Sequence, residues 1–245
     1  MGRLKEIIKS IKINVWNNRI DKNQEIYNKY LESIGISLGK NVLFVKPSSN
    51  CVDTSAPYLI SIGDNVCVSK GLTLFVHDYS AFIERKITGE VLGGVGGVRI
   101  GNNVQIGADV TILMDTEIQD NVIIAAGAVC KGKLESGFVY GGVPAKKIQS
   151  VNDFVNKRRN DQLIQAVNLT LAYYKNYKKF PDKKEFYPFH LFPIFLKVEN
   201  WPESFWKGFG QRLSKEEIQN FYKNYEPMFQ CYDDFIKYVE EQYVK

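Results

Sequence analysis

An isoleucine recurs at every sixth position between residues 100 and 124, and this period constrains the fold more than any other feature. The residues are Ile100, Ile106, Ile112, Ile118 and Ile124, and a small or β-branched residue follows each of them after four positions. A helix would scatter such residues around its surface, and a flat strand would make every second residue equivalent. A period of six predicts short strands joined by tight turns and stacked as a parallel coil, with the isoleucines inside.

The same register extends the coil over residues 36–150. Its earlier apolar positions are Leu38, Phe44, Ile62, Val68 and Leu74. Glycine or asparagine is expected at turns that need a positive φ. Residues 78–97 interrupt the period with a polar and then glycine-rich stretch, which predicts a loop extruded from the coil, and such long loops are usually functional. No strand leads into its glycines and no helix follows them, so a phosphate-binding loop is not indicated.

Helical segments are predicted on both sides of the coil. In residues 1–35 the apolar spacing predicts an amphipathic helix over 3–31, which either packs on its own domain or a sister subunit, or lies on a membrane surface. The apolar positions of this helix are Leu4, Ile7, Ile8, Ile11 and Val15.

Residues 151–245 hold 22 of the 32 aromatic residues and form a predicted, mainly helical extension. Helices are expected over 152–179, about 202–210, and 214–243, the last with Ser214 as N-cap and Glu217 three residues later. So many aromatic residues at helical spacing favour a packed core, with a carbohydrate or partner surface as the alternative.

Composition narrows the class of protein. The net charge is +5 and neither half of the chain is polybasic, so nucleic acid binding is not indicated. Four cysteines without a C-x-x-C pair suit a reducing cytoplasm, and no apolar stretch approaches the ~20 residues of a membrane span. The two histidines cannot supply a three-histidine zinc site, so no metal is expected.

His77 is the candidate for proton transfer, because it ends the run LFVHD where the coil gives way to the loop. A neutral imidazole accepts a proton from a hydroxyl or amine near neutral pH. Asp78 is the expected orienting residue, with a backbone carbonyl as the alternative. A surface histidine at the start of a loop remains the other interpretation of His77. His190, in the aromatic run YPFHLF, is interpreted as structural.

Four motifs together resemble the hexapeptide-repeat acyltransferases, and most of all the galactoside, maltose and capsule or lipopolysaccharide O-acetyltransferases. They are the hexad run from residue 100, VHDYS at 76–80, the loop containing ERKITGE, and GGVPAKKI at 141–148. The resemblance implies a left-handed parallel β-helix, a homotrimer with active sites between subunits, and acetyl-CoA as co-substrate.

The resemblance also implies roles for individual residues. His77 matches the general base, and Asn50 lies near a position that contacts the acceptor. Arg85 matches a basic position that could meet the acceptor or CoA. The positions that match contacts to acetyl-CoA are Ala108, Ala126, Lys131, Lys146 and Lys147. For Lys146 and Lys147 the alternative is a solvated surface pair.

We therefore expect a cytoplasmic acetyl-CoA-dependent O-acetyltransferase that acts on a carbohydrate, in surface-polysaccharide biosynthesis. Peripheral association with a membrane-bound glycan assembly is a further expectation. One alternative is an N-acetyltransferase of an amino sugar nucleotide. Another is a non-catalytic β-solenoid scaffold, for which His77 and the GGVPAKKI segment would have no use.

Overall fold

The computed structural model describes residues 2–208 and 213–244, and the side chains of residues 2–11, 207 and 208 lie outside the description. The chain divides into two compact units, Met1–Phe154 and Val155–Lys245. We call them the coil unit and the C-terminal unit. Among the described residues, no helix is long and apolar enough to cross a membrane.

The strands of the coil unit form three parallel faces. The first face contains Ser37–Leu38 (β1), Ile60–Ile62 (β4), Val98–Ile100 (β7) and the second halves of Thr111–Ile118 (β9) and Val129–Leu134 (β11). The second contains Leu43–Phe44 (β2), Cys67–Val68 (β5), Gln105–Ile106 (β8), Ile123–Ile124 (β10) and Phe138–Gly141 (β12). The third contains Cys51–Val52 (β3), Thr73–Leu74 (β6) and the first halves of β9 and β11. Lys146–Ser150 (β13) closes the second face as an antiparallel strand.

The predicted hexads form the core of this coil. Ile62, Ile100 and Ile118 are aligned along the first face, and their counterparts on the other faces are aligned in the same way. All five isoleucines of the period are at most 2% exposed. The prediction of a parallel coil with inward isoleucines is therefore confirmed.

Asparagines occupy one corner of the coil in consecutive turns. Asn41, Asn65, Asn103 and Asn121 have φ values of 54–59°, the left-handed conformation that asparagine tolerates better than most residues. Their side chains form a ladder, in which each amide nitrogen donates to the next amide oxygen at 2.9–3.1 Å. The corner is thus fixed by both conformation and hydrogen bonding.

The N-terminal segment is two helices, Gly2–Lys22 (α1) and Gln24–Ser33 (α2), instead of one helix over 3–31. Asn23 divides them, because it is extended and its side chain caps Glu25 N–H. Ile20 is buried and Asp21 accepts two hydrogen bonds from Ser48, so the end of α1 packs on the coil. Val15, an expected apolar contact, is exposed, and the side chains at 4, 7, 8 and 11 lie outside the described residues.

The interruption at 78–97 contains a helix, Ala81–Thr88 (α3), which the sequence did not predict. The helix ends at Gly89, which adopts the left-handed conformation with a φ of 75° and forms the C-terminal cap. No residue of α3 is buried, so the segment projects from the coil as expected.

The C-terminal unit contains Val151–Tyr177 (α4), which extends into it from residue 155, Glu203–Gly208 (α5), Lys215–Asn224 (α6) and Tyr232–Tyr243 (α7). The expected helix over 214–243 is wrong, because Pro227 lacks an N–H and lies between α6 and α7. The capping box of Ser214 and Glu217 is confirmed. Residues 209 and 210, the expected end of the helix over about 202–210, lie outside the described residues. The core is aromatic, with Phe186, Phe192 and Phe235 fully buried.

Candidate active site

His77 lies on the third face of the coil, three residues after β6. It is held there because Val76 is fully buried beside it, while the loop returns across it through a bridge between His77 and Val95. The Gly96 N–H also donates to the Val76 carbonyl at 2.9 Å. The His77 side chain remains 28% exposed, so its ring is fixed but accessible.

Asp53 orients His77 from the preceding turn of the coil. His77 Nδ1 lies 2.5 Å from Asp53 Oδ2, and the Asp53 side chain is only 9% exposed. Ser55 donates to the other carboxylate oxygen through its hydroxyl at 2.6 Å and its N–H at 3.0 Å. The Val76 N–H donates to Oδ2 at 3.1 Å. Every hydrogen bond therefore favours an ionised Asp53.

The protonation of this pair follows from its environment. Burial opposes ionisation of Asp53, but the hydrogen bonds from Ser55, Val76 and His77 outweigh it and hold the pKa of Asp53 well below its usual range. An ionised carboxylate only accepts hydrogen bonds, so the proton of a neutral His77 ring is on Nδ1. The lone pair on Nε2 is then available to accept a proton.

A pocket of about 610 Å³ surrounds His77. Its volume is within the usual range of ~300–1,000 Å³ for small-molecule sites. Its apolar wall comes from the third face and the start of the loop. The lining residues are Cys51, Asp53, Phe75, His77, Asp78, Tyr79, Leu113, Met114, Asp115 and Lys131.

The glycine-rich end of the loop packs closely against this pocket. A Cβ atom at Gly94 would lie 3.2 Å from both Asp78 Oδ2 and Met114 Cε. A side chain at residue 94 would therefore push against two lining residues. The Tyr79 ring lies with its centroid 5.0 Å from that of His77, in an edge-to-face arrangement. The loop thus shapes the pocket from both of its ends.

Asp78 is not the orienting residue that the sequence predicted. Its carboxylate accepts hydrogen bonds from the hydroxyl and N–H of Ser80 at 2.7 and 3.0 Å, which closes a turn at the start of the loop. The geometric reason is that Asp53, on the stacked turn, lies directly against Nδ1 of His77. Asp78 still lines the pocket, as does Lys131.

Sequence reasoning missed Asp53 because the first turns of the coil are irregular. Cys51 pairs with Thr73 at an offset of 22 residues, whereas Ser37 pairs with Ser61 at an offset of 24. Because the number of residues between paired strands is not constant in these turns, the six-residue period did not show that Asp53 would lie next to His77. The usable signal was the D-x-S sequence at 53–55, which is typical of a local turn around a carboxylate.

Asn50 does not line the His77 pocket, although its neighbour Cys51 does. Its Oδ1 accepts a hydrogen bond from Leu72 N–H at 3.0 Å, so this part of the side chain supports the coil. Its amide nitrogen is buried without a partner in the described part of the chain. The residue lines a smaller pocket of about 220 Å³ beneath α1 and α2.

The remaining predicted residues also lie outside the His77 pocket. The guanidinium carbon of Arg85 lies 5.0 Å from the centroid of the Phe82 ring, on α3. Lys147 Nζ lies 2.5 Å from Glu135 Oε2 and 4.1 Å from the centroid of the Phe138 ring, so this lysine has partners. Lys146 is exposed on β13.

Ala108 and Ala126 lie on stacked turns at the corner that follows the second face. Ile106 and Ile124 are aligned there, and Gly127 N–H donates to the Ala108 carbonyl at 2.9 Å. Ala108 is half-buried and Ala126 is exposed. The structure thus brings these two residues together, as it brings together His77, Asp78 and Lys131. Among the described residues, no three His, Cys, Asp or Glu side chains form a group that could hold a metal ion.

Comparison with known proteins finds a transferase family model and a relative named as an O-acetyltransferase. Residues 97–132 match the family described as bacterial transferase hexapeptide (six repeats). The galactoside O-acetyltransferase of Escherichia coli (strain K12) is 31% identical over 150 residues, which cover 61% of this chain and 68% of that protein. Protein CapG of Staphylococcus aureus is 31% identical over 127 residues, which cover 52% of this chain and 73% of that protein.

A solved structure of a maltose O-acetyltransferase from Clostridium difficile 630 is 22% identical, with a TM-score of 0.40. The match covers 60% of this chain and 85% of that chain.

Proposed function

Because this chain belongs to the hexapeptide-repeat acetyltransferases, we propose that it transfers an acetyl group from acetyl-CoA to a hydroxyl of a carbohydrate. The enzyme class is that of an acyltransferase. One of its relatives is named as a galactoside O-acetyltransferase, which supports a sugar acceptor. A role in surface-polysaccharide biosynthesis is part of the proposal. The reaction is proposed to take place in the cytoplasm.

The observation that carries the proposal is the pairing of His77 with a buried, ionised Asp53 in a pocket. Nε2 of His77 accepts the proton of the acceptor hydroxyl as its oxygen attacks the thioester carbonyl. The tetrahedral intermediate collapses, the carbon–sulfur bond breaks, and the proton passes from Nε2 to the leaving thiolate. Asp53 stabilises the imidazolium that exists between these steps. No covalent enzyme intermediate is needed.

We propose that acetyl-CoA extends from the His77 pocket along the corner at Ala108 and Ala126. Small side chains there leave space beside the backbone for the pantetheine arm. Lys131 lines the pocket, and Lys146 is exposed near the end of the coil, so either ammonium group is available to a phosphate. Lys147 would first have to leave Glu135. Asn50 and Arg85 remain candidate acceptor contacts. Neither lines the His77 pocket of its own chain, so each would contact the acceptor bound at a neighbouring subunit.

The assembly proposed is a homotrimer of left-handed coils with active sites between subunits. Exposed apolar side chains on the extruded loop support it, because Phe82, Ile87 and Val91 are at least 62% exposed. The corresponding division of the chain is 1–35, 36–150 and 151–245, with the extruded loop at 78–97.

The test is release of free thiol from acetyl-CoA by the wild type and by His77→Ala, with a panel of sugars, nucleotide sugars and oligosaccharides. We expect one acceptor class to stimulate release, and His77→Ala to lower kcat by about 10²-fold or more. His190→Gln is the matched control, because it changes the other histidine in the other unit, and it should stay within about twofold of wild type.

Acceptor competition separates the alternatives. Preference for an amino sugar nucleotide would replace the O-acetyltransferase with an N-acetyltransferase. A His77→Ala variant that keeps full activity would contradict the role of His77. Absence of CoA binding in a thermal shift assay would favour a scaffold, since a ligand at ~100 times its Kd should stabilise the fold by ~2.7 kcal/mol.

A further inference from the structure

The C-terminal unit contains a cleft of about 830 Å³ that belongs to no part of the acetyl-transfer site. It lies between the segment at 182–183, the segment at 195–200 and the start of α7. Its described lining residues all belong to the C-terminal unit. Its volume suits a ligand the size of a short oligosaccharide.

The polar side chains of this cleft have few partners of their own. Lys197, Glu199, Gln230 and Asp233 are exposed, and the structure shows no side-chain hydrogen bond or ion pair for them among residues 2–208 and 213–244. Asp182 uses Oδ1 to accept from Lys184 N–H at 2.9 Å. Most of the hydrogen-bonding capacity in the cleft is therefore directed to solvent.

The chemistry of the lining selects the class of ligand. Among the described residues, three carboxylates (Asp182, Glu199 and Asp233) and two ammonium groups (Lys183 and Lys197) line the cleft. These charges nearly balance, so the cleft does not favour a polyanion or a polycation. Carboxylates accept hydrogen bonds, ammonium groups donate them and amides do both, which matches sugar hydroxyls that also donate and accept.

A fixed aromatic ring supplies the apolar part of such a site. Tyr232 is half-buried at the wall of the cleft, and its hydroxyl donates to the Pro181 carbonyl. Its ring packs against the buried Phe195 with a centroid distance of 5.0 Å. Burial and the nearby charges of Asp182 and Asp233 raise the pKa of Tyr232, so the hydroxyl stays protonated as a donor. The exposed part of the ring is an apolar platform of the kind that sugars contact through their C–H groups.

We propose that this cleft is a second carbohydrate-binding site, which holds a neutral segment of the glycan away from the acetylated hydroxyl. The inference rests on the proposed function, because it assumes that the acceptor is a glycan longer than one or two sugars. Binding of a remote segment raises the local concentration of the acceptor on the same chain. It should lower KM for long acceptors and leave kcat nearly unchanged.

The decisive variant is Lys197→Ala/Glu199→Ala in the full chain. It removes one positive and one negative group from the cleft, and neither side chain caps a helix or belongs to the core. Lys223→Ala/Glu226→Ala is the matched control, since it makes the same charge changes on exposed residues of the same unit outside the cleft. Gln230→Ala is a second, uncharged change to the cleft.

Binding is measured without acetyl-CoA, by calorimetric titration with maltohexaose and a galactan hexasaccharide, and with a hyaluronan hexasaccharide as the anionic probe. We expect a neutral hexasaccharide to bind the wild type, the His77→Ala variant and the control pair alike. The Lys197→Ala/Glu199→Ala variant should raise its Kd by about tenfold or more, and Gln230→Ala should raise it less. With an accepted long substrate, the cleft variant should raise KM without lowering kcat.

Three results would overturn the inference: no binding of either neutral probe, equal binding by the cleft variant and the control pair, or preference for the anionic probe. Thermal unfolding midpoints of both pairs exclude loss of folding as the cause. Binding with no thiol release by any acceptor would count against the proposed function and leave the cleft assigned. Thiol release with no binding would count against the cleft alone.

Discussion

In the coil, buried residues on one turn are aligned with buried residues on the next, whereas the described residues of the C-terminal core pack without such a repeat. Leu74, Ile112 and Cys130 are aligned on consecutive turns and bury similar side chains in similar surroundings. Phe235 instead contacts Phe186 and Phe229 edge-to-face and Phe195 in a stacked arrangement. The stability of the coil is approximately a sum of the contacts between neighbouring turns. The stability of the C-terminal unit depends on one particular arrangement of aromatic rings.

The largest expected effect on stability comes from truncating one residue in each core. Ile112→Ala should lower the free energy of unfolding by about 2–5 kcal/mol, and Phe235→Ala by about 3–5 kcal/mol. Hydrogen exchange should show lost protection mainly on the turns next to Ile112, but across the whole aromatic core for Phe235. The exposed residues Ile148 and Ile164, changed to alanine, are controls that should cost no more than about 0.5 kcal/mol.

Such a pattern would support the contrast between repeated and irregular packing. If Ile112→Ala removed protection from the entire coil unit, the description of the coil as a sum of neighbouring turns would be wrong.

Asp53→Asn tests whether the contact between two stacked turns, which places Asp53 against His77, contributes to catalysis. The amide keeps the shape but loses the charge that stabilises the His77 imidazolium, so kcat should fall by about 10–100-fold, the equivalent of a charge-assisted hydrogen bond. The KM for acetyl-CoA should change little. A loss below threefold in thiol-release assays would contradict the role of Asp53.

The same variant has a defined pH dependence. The pKa of Asp53 is lower in the folded protein than in the unfolded chain, so its ionisation stabilises the fold above the unfolded value of ~4, and this contribution disappears as the pH falls further. The stability difference between wild type and Asp53→Asn should therefore be constant near pH 7 and shrink below about pH 4. Urea titrations at several pH values measure it.

A smaller effect is expected at the asparagine corner. Asn103→Ala loses two ladder hydrogen bonds and places alanine at a φ of 54°, whereas Asn103→Gly loses only the hydrogen bonds. Alanine should be less stable than glycine by about 1 kcal/mol, because glycine adopts the left-handed conformation freely. Equal urea midpoints for the two variants would show that the ladder, and not the conformation, fixes the corner.

An effect of similar size, confined to one helix, is expected at the capping box of α6. Ser214→Ala removes the side-chain acceptor for Glu217 N–H and should cost about 0.5–2 kcal/mol, while Ser214→Gly should cost only a few tenths. Thermal unfolding of the C-terminal unit measures both. A change of this size in the coil unit instead would contradict the local origin of the effect.

The sequence predicted most of the coil, because a six-residue period reports one repeated environment. The positions of Ile106 and Ile112, for example, followed from spacing alone. Asp53 could not be predicted in the same way, since its contact with His77 depends on how two irregular turns align. The separation of α6 from α7 was missed although Pro227 was visible, because the amphipathic spacing continues on both sides of it.

The number of residues between paired strands on the first face shows which part of the coil unit can vary in length. Ile62 pairs with Ile100 at an offset of 38 residues, and Ile100 pairs with Ile118 at an offset of 18. The difference, 38 − 18 = 20 residues, equals the length of segment 78–97, so the strands align as though that segment were absent. The loop that shapes the pocket is therefore an exchangeable module. Its length and composition between the bridge partners His77 and Val95 can be altered, in nature or by design, without changing the register of the strands on either side. The shape of the pocket and the stability of the scaffold can therefore vary separately.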